Sequence, residues 1–418
     1  MKKLTFPFLL FLFLITTTAA AQVDTLRVAT YNLLKFTIFF PERFPYFRTV
    51  VHNMAPDILI VQELDSQGAQ TKFLNEVLNF NQTNIYERSP IGGGFLTKNS
   101  LFYKKEKVSL LSTIQIKTDL RDISEYSLSA NGVEFKIYSL HLKAGQEFGD
   151  ENQRQFEANI LRNHLNNLPA NSHFIVGGDF NITRSSEPAF VRLTESEMDN
   201  DGRLFDPLKA IGTWHDNPLF ASLHTQSTRD SVFNDGSDGG LDDRYDMLLI
   251  SRSLMNQETF YLLPGSYTAV GNDGRHFNLA VNDRINTSLP DSIVQALFLA
   301  SDHLPVYADF IIDQVNSVEN PLSNPRVKFI LNQNYPNPFN AETQIIYTVP
   351  HSSHISLNIY NVTGQKIRTL VDDVSAAGVH RTTWNGLNDS GQEIASGIFF
   401  YRLEAQGSSL VKKLILLR

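Results

Sequence analysis

FIVGGDFNIT, Phe174 to Thr183, is an apolar and partly β-branched run that stops at two glycines and then delivers Asp179 and Asn181. Its length and composition predict a buried strand. A core strand that hands over to a carboxylate needs a reason, because carboxylates are rarely buried unless paired. Gly177 and Gly178 mark a place where the backbone approaches something closely.

Outward from this strand the same texture recurs. LRVATYN and DILIVQEL read as strands, AQTKFLNEVLNF as a helix, and SLFYKKEKVSLL as a strand pair or one long strand. VEFKIYSLHL alternates like a strand, ENQRQFEANILRNHLNNL has helical spacing, and RYDMLLIS and HLPVYADFII are strand-like again. Strands and helices interleaved in this way indicate an α/β or α+β domain. Between Thr183 and Asp242 the pattern weakens into Asp, Asn, Gly, Ser and Thr, which predicts long, mostly polar loops on one face.

After Ile312 the stretch DQVNSVENPLSNPRVK reads as a polar, proline-containing linker. From Phe329 to Arg418 short alternating strands (TQIIYTV, ISLNIYN, GIFFYRLEA) are separated by turn signals such as NVTGQ and NGLNDSGQ. That pattern predicts a small all-β sandwich whose core includes Tyr360, Phe399 and Tyr401.

A chain of 418 residues suits one large domain and one small one, and 42% hydrophobic with 19% charged residues can bury an ordinary core. The start, MKKLTFPFLLFLFLITTTAAAQ, has a basic end, an apolar stretch and small residues at Ala19 to Ala21, the pattern of a cleaved secretory signal over residues 1–21. Its apolar stretch is short of the roughly 20 residues needed to span a bilayer, so no stable membrane insertion is expected. Cysteine is absent, which excludes disulfides, thiolate metal sites and cysteine nucleophiles. A net charge of -8 excludes a nucleic-acid binder that works by a broad basic surface, but not an enzyme that grips phosphate through a metal and a few donors.

Several strand ends deliver polar side chains: Asn32, Glu63, His141, Asp179 with Asn181, Asp246, and Asp302 with His303. Any one of them reads as the first solvated residue after a strand. Together they can converge on one edge of a packed sheet, where a metal-assisted site is readily built. Glu63 and Asp302 offer hard oxygen ligands suited to Mg²⁺ or Mn²⁺, and Asn32 a neutral oxygen. There is no HExxH, so a zinc hydrolase is disfavoured.

ATYN, VQEL, YSLHLKA, GGDFN, RYDMLL and SDHLPV resemble, in that order, the motifs of the endonuclease/exonuclease/phosphatase superfamily, over roughly residues 26 to 312. The resemblance implies a four-layered sandwich, two face-to-face β-sheets flanked by helices. It implies that Glu63 is the main Mg²⁺ ligand, with Asn32 and Asp302 close to the metal. It implies that Asp179 orients and deprotonates water, that Asn181 holds a phosphate oxygen, and that His303, held by Asp246, contacts the scissile phosphate. His141 would stabilise the phosphorane or protonate the leaving oxygen, and a histidine there is similar to the deoxyribonuclease I-like, sphingomyelinase-like and inositol-phosphatase-like branches. Met247 stands where relatives commonly have an aromatic residue. Arg121 stands where many relatives contact phosphate, although a solvated arginine beside Asp119 and Asp122 is equally consistent with the sequence.

IGGGF (Ile91 to Phe95) reads as a flexible loop and DNDG (Asp199 to Gly202) as a turn, while His215, His224 and His276 are expected to have no ligand role. The C-terminal segments NYPNPFNAETQIIYTVP, LNIYNVTGQKIRTL and WNGLNDSGQEIASGIFFYRL resemble the sorting domain of type IX secretion cargo. The resulting expectation is a signal peptide (residues 1–21), a catalytic domain (22–313), a linker (314–329) and a sorting sandwich (330–418). The product would be a monomeric, secreted or surface-exposed Mg²⁺-dependent phosphodiesterase, with nucleic acid as substrate and the type IX machinery as partner. A sphingomyelin or inositol phosphate substrate is the alternative; a non-catalytic surface binding protein on the same scaffold is the third.

Overall fold

The computed structural model describes residues 23–418 apart from 82–83, 93–97, 198–200, 232–235, 257–258, 314–329, 332–333, 335–336, 341, 350–351, 377 and 406–407. The expected signal peptide, the linker, most of the IGGGF loop and half of DNDG therefore lie outside the described residues. The chain divides into two compact units, Met1–Ser317 and Val318–Arg418.

The first unit holds two sheets. One contains β1 (Val23–Phe36), β2 (Ile58–Leu64), β3 (Tyr86–Arg88), β4 (Lys98–Lys104), β11 (Phe260–Leu262), β12 (Thr268–Ala269) and β13 (Val306–Asp313). Its order is β11-β13-β1-β2-β4-β3, with β12 beside β13. The other contains β5 (Ser109–Ile116), β6 (Ile123–Ala130), β7 (Val133–His141), β8 (Phe174–Asp179), β9 (Leu204–Phe205) and β10 (Asp246–Ser251), in the order β5-β6-β7-β8-β10-β9.

Side-chain alternation assigns the layers. Val28, Ile58 and Ile60 of the first sheet meet Ile137, Ile175 and Leu248 of the second in a core between the sheets. Ala29, Tyr31, Leu59 and Val61 face the other way, onto α1 (Phe44–Met54), the segment after α2 (Gln67–Lys72), and α5 (Asp291–Ala300). Tyr138, Phe174 and Val176 face α3 (Phe148–Asn166) and α4 (Pro188–Thr194). The result is the four-layered sandwich expected from sequence. Covering both faces of the central strands explains why they read as continuous apolar runs. Met247 is fully buried in the outer core of the second sheet, a packing position.

The π-turn Phe73–Leu78 continues α2 over the stretch predicted as one helix. Glu147 and Asp150 form a reciprocal capping box at the start of α3. Two helices, α1 and α5, have no counterpart in the sequence expectations. The segment Thr183 to Asp242 is loop-rich as expected, but it includes α4, β9 and the 3₁₀ turn Pro218–Leu223.

On the helix-facing side of β6, buried Glu125 meets His164 of α3 and Lys136 of β7. Burial alone would raise its pKa, but the hydrogen bonds from His164 and Lys136 outweigh it and hold the carboxyl down to about 2. A depressed carboxylate contributes stability that is fully present above its unfolded pKa, near 4.5, and is lost as pH falls towards 2. Acid titration of denaturation midpoints is expected to show about 1–3 kcal/mol lost over that window, and Glu125→Gln to flatten that part of the slope. An unchanged slope in the variant would remove Glu125 from the account.

The second unit is all-β. Its strands are β14 (Ile330–Leu331), β15 (Thr343–Val349), β16 (Ser353–Asn361), β17 (Lys366–Ser375), β18 (Gly378–Trp384), β19 (Gly397–Ala405) and β20 (Ser408–Leu416). They form a β14-β15-β18 sheet and a β17-β16-β19-β20 sheet around Ile345, Leu357, Ile359, Trp384, Phe399, Tyr401 and Leu414. Phe399 and Tyr401 are core as expected, but Tyr360 is not. Ile359 takes the inward position of β16, which turns Tyr360 outward, where the Arg402 guanidinium lies 4.7 Å from its ring centroid.

Candidate active site

Three neighbouring strands of the second sheet end level with one another. His141 of β7 is in register with Asp179 of β8, and Asp179 with Asp246 of β10. Facing them across the sandwich, the parallel strands β1 and β2 deliver Asn32 and Glu63, while Asp302 and His303 precede β13. The two sheets close tightly under this row. A Cβ on Gly177 would lie 2.7 Å from Ile60 Cδ1 of the opposite sheet, and one on Gly178, at φ +144°, only 2.0 Å from the Leu140 carbonyl oxygen. Glu63 and Asn181 themselves take left-handed backbone, at φ 63° and 53°, which non-glycine residues hold only where the surroundings impose it.

The predicted residues converge. Asn32 Nδ2 donates to Asp179 Oδ2 at 3.0 Å and to Glu63 Oε1 at 3.2 Å. His141 Nε2 lies 3.5 Å from Asp179 Oδ2 and 3.9 Å from Glu63 Oε1. His303 Nδ1 lies 2.7 Å from Asp246 Oδ2, and its Nε2 is 3.8 Å from Asp179 Oδ2 and 4.0 Å from Asp302 Oδ1. Asn181 Nδ2 and Arg121 Nη1 both donate to the Leu142 carbonyl, at 3.3 and 3.2 Å, so Arg121 stands beside the cluster. Asp122, the other partner open to Arg121 in the sequence, pairs with Lys117 instead.

Burial and crowding set different protonation states on the two histidines. Burial would lower the His303 pKa, but the charges of Asp246, Asp302 and Asp179 and the bond to Asp246 outweigh it, so the imidazolium is favoured well above the usual range. Burial, with Arg121 and His303 adding to it, pushes His141 well below that range and keeps it neutral. Asp179 is raised to about 7, first by burial and then by Asp246 and Glu63, against the pull of His303 and Asn32. Groups pushed apart in this way are suited to divided acid and base work.

Glu63, Asp179, Asp246 and Asp302 crowd one space, and Asp302 Oδ1 is buried with no hydrogen-bond partner among the described residues. Its other oxygen, Oδ2, accepts from the Ser237 amide at 2.7 Å. Glu63 is part-exposed and aimed into the same space. These oxygen donors fit a hard divalent cation that keeps some of its waters. Asn32 fits less directly, because its Oδ1 accepts from the Leu34 amide at 3.0 Å and its nitrogen faces the carboxylates. Asn32 therefore orients Glu63 and Asp179 in this arrangement.

Three residues without a motif signature complete the site. The Gln226 side-chain amide sits 2.6 Å from His303 Nε2; with that nitrogen protonated, the amide presents its oxygen. The buried Arg43 guanidinium donates to the Leu33, Leu34 and Ala300 carbonyls, fastening the exit of β1 to the end of α5 just before Asp302. Arg229, also buried, donates to the Phe298 carbonyl and is influenced by Asp302. None of these could be singled out by pattern, since each acts through backbone contacts or a neighbour distant in sequence.

Away from this cluster, His224 bonds the Trp214 and Leu241 carbonyls and His276 bonds Asp273, both structural roles. His215 is different, because it lies 2.9 Å from Asp243 and 4.0 Å from Asp242. Among the described residues this is the one group of three such side chains whose ligand atoms lie within 4.8 Å of one another. Asp242 is raised to about 7 by burial and by its neighbour Asp243.

The profile described as Endonuclease/Exonuclease/phosphatase family matches residues 29–303, and that of the FlgD Ig-like domain matches residues 339–409. Among curated proteins none matches significantly. Among solved structures, D. rerio TDP2 complexed with a single-strand DNA product is 14% identical, covering 69% of this chain and 99% of its own, with a TM-score of 0.46. An endonuclease/exonuclease/phosphatase family protein from Bacteroides thetaiotaomicron is 16% identical, over 72% and 100%, with a TM-score of 0.46. A mannosyl-6-phosphatase from Bacteroides thetaiotaomicron VPI-5482 is 17% identical, over 68% and 99%, with a TM-score of 0.42.

Proposed function

The chain belongs to the endonuclease/exonuclease/phosphatase family, and from that premise we propose that it is a metal-dependent phosphodiesterase whose first substrate class is nucleic acid. The family assignment supports hydrolysis of phosphoester bonds. The observation that carries the reading is the meeting of a favoured imidazolium, His303, with a neutral His141 on either side of Asp179.

In this proposal Asp179 takes a proton from water as the water oxygen bonds to phosphorus, and its pKa of about 7 suits a base working near neutral pH. His303, held by Asp246, donates from Nε2 to a phosphoryl oxygen, displacing its contact with Gln226. Asn181 and Arg121 add donors, and neutral His141 donates a hydrogen bond from Nε2 to the leaving oxygen as the P–O bond breaks. That oxygen then takes a proton from solvent, while Asp179 returns to solvent the one it accepted. Glu63, oriented by Asn32, and Asp302 would hold Mg²⁺ or Mn²⁺. When bound, that ion offsets the negative charge that builds on the phosphoryl oxygens.

A lipid phosphodiester is the second reading. The loops between Thr183 and Asp242 were expected to be mostly polar, yet Ile211 and Leu219 within them are 84% and 87% exposed. We also propose that the protein is exported through its N-terminal signal, with the C-terminal sandwich acting as the type IX sorting domain; a chain ending at residue 329 should then stay in the cell.

The test is a panel of DNA, RNA, sphingomyelin and inositol phosphates, each with Mg²⁺, Mn²⁺ and chelator. Chelation is expected to reduce turnover by more than about 10³-fold, and Glu63→Gln to raise the metal concentration needed for half-maximal rate by about 10-fold or more. Cleavage that survives chelation, or that Glu63→Gln leaves unchanged, would overturn the metal-dependent proposal.

A further inference from the structure

Among the described residues the five most exposed large apolar side chains are Leu219, Ile211, Ile285, Phe148 and Phe39, at 87, 84, 83, 79 and 76%. Four of the five lie on connecting segments at the end of the sandwich that holds the candidate site, Phe148 as the first residue of α3 and Leu219 within the 3₁₀ turn Pro218–Leu223. Phe39, flanked by exposed Ile38 and Phe40, crests the segment that follows the end of β1 at Phe36, four residues past Asn32. That segment is held at its base, where the Lys35 amide donates to Glu63 Oε2 at 2.9 Å and Arg43 binds the Leu33 and Leu34 carbonyls.

Phe148 follows β7 seven residues after His141. Ile211 precedes Gly212 and Thr213, which bond back to Ser185 and Arg184, just past Asn181. Leu219 follows Asp216, whose amide donates to the Asp242 carbonyl ahead of β10. The tips therefore arise from four exits around one polar centre, not from a single patch.

We propose that these tips form a lipid-docking face that seats the site against the headgroups of a phospholipid surface. Exposed apolar side chains on several anchored loops cost solubility and suit insertion into the boundary between headgroups and acyl chains. Stacking on nucleobases would need aromatic planes at each tip, and Ile211 and Leu219 have none. Exposed Lys35 and Lys209 stand three and two residues before Ile38 and Ile211, placed to meet phosphate headgroups. What such a surface would offer for cleavage rests on the phosphodiesterase reading above; the docking itself does not.

The experiment is flotation of the full chain with phosphatidylcholine vesicles, with and without phosphatidylglycerol. In parallel, hydrolysis of the water-soluble diester bis(p-nitrophenyl) phosphate and binding of a single-stranded oligonucleotide are measured. The unsubstituted protein is expected to float with the vesicles. Phe39→Ser/Phe40→Ser is expected to weaken partitioning by about 10-fold or more, and Leu219→Ser by several-fold, from the apolar area each removes. Both variants should keep the melting temperature and the soluble-diester rate, because these side chains are exposed. Failure of the unsubstituted protein to float, or flotation indifferent to both substitutions, overturns the proposal. So does a loss confined to oligonucleotide binding, which would make the phenylalanines a base-stacking platform. Since the soluble-diester rate is read separately, a failed flotation and a failed hydrolase reading are distinguishable.

Discussion

Asp179→Asn is expected to lower phosphodiester hydrolysis by about 10²–10⁴-fold while raising the melting temperature of the metal-free protein at pH 8. The first effect follows from loss of the proposed base. The second follows from the crowding around it: Asp179 is 2% exposed, shares its space with Glu63 and Asp246, and has its pKa raised to about 7. For an acid raised on folding, the native state holds a proton that the unfolded state has released between pH 3.8 and 7. Stability therefore falls as pH climbs through that window. Asn has the same shape and no charge to bury. The gain should be absent near pH 4, grow up to pH 7 and level off above it. Thermal melts of both proteins with chelator, from pH 4 to 8, provide the check. Lower stability of the variant at pH 8 would mean that the carboxylate is better compensated than its neighbours suggest.

Arg154→Met is expected to cost about 3–5 kcal/mol of stability. Arg154 and Glu187 are both fully buried, with Nε 2.6 Å from Oε1. The same guanidinium donates to the Lys143 and Gly145 carbonyls at 2.8 and 2.7 Å. It thus joins the loop after His141 to the turn after Asn181. Removing it strands a buried carboxylate and two carbonyls. In Arg154→Met/Glu187→Met the stranded charge is gone, so much of the loss should return, as is common when buried ion pairs are replaced by apolar side chains. Urea denaturation midpoints of the single and double variants measure this. A single-variant cost below about 1 kcal/mol would show that water or a rearranged partner reaches Glu187.

The layered fold was legible because its central strands are covered on both faces, so VATYN, ILIVQEL and FIVGGD stand out as apolar runs ending in polar residues. Helix α5 was not legible, since DSIVQALFLA is apolar nearly all round and has little periodicity to read. Helix α1 does place Phe44, Phe47, Val50, Val51 and Met54 at helical spacing, but its prolines at 41 and 45 give the stretch the look of a loop.

The convergence of Glu63, His141, Asp179 and His303 follows from strands ending at one edge, a property that sequence order can suggest. The orientation of Asn32 could not be inferred, because it depends on a hydrogen bond to the backbone two residues on. Nor could the His215–Asp242–Asp243 grouping, which depends on how two long loops fold against each other.

Strand β13 pairs with β1 from Val23↔Asp313 to Thr30↔Val306, so the last strand of the first unit lies against the first. Between them, Arg43 reaches Ala300 across 257 residues of chain. A ribosome that has made Asn32, Glu63, His141 and Asp179 has not yet completed the proposed site, because Asp302 and His303 come just before the last strand of the first unit. Contacts of such long sequence separation form late and slowly. On the proposed mechanism, the nascent chain lacks a complete site by topology alone, and activity would begin only when the closing strand has docked.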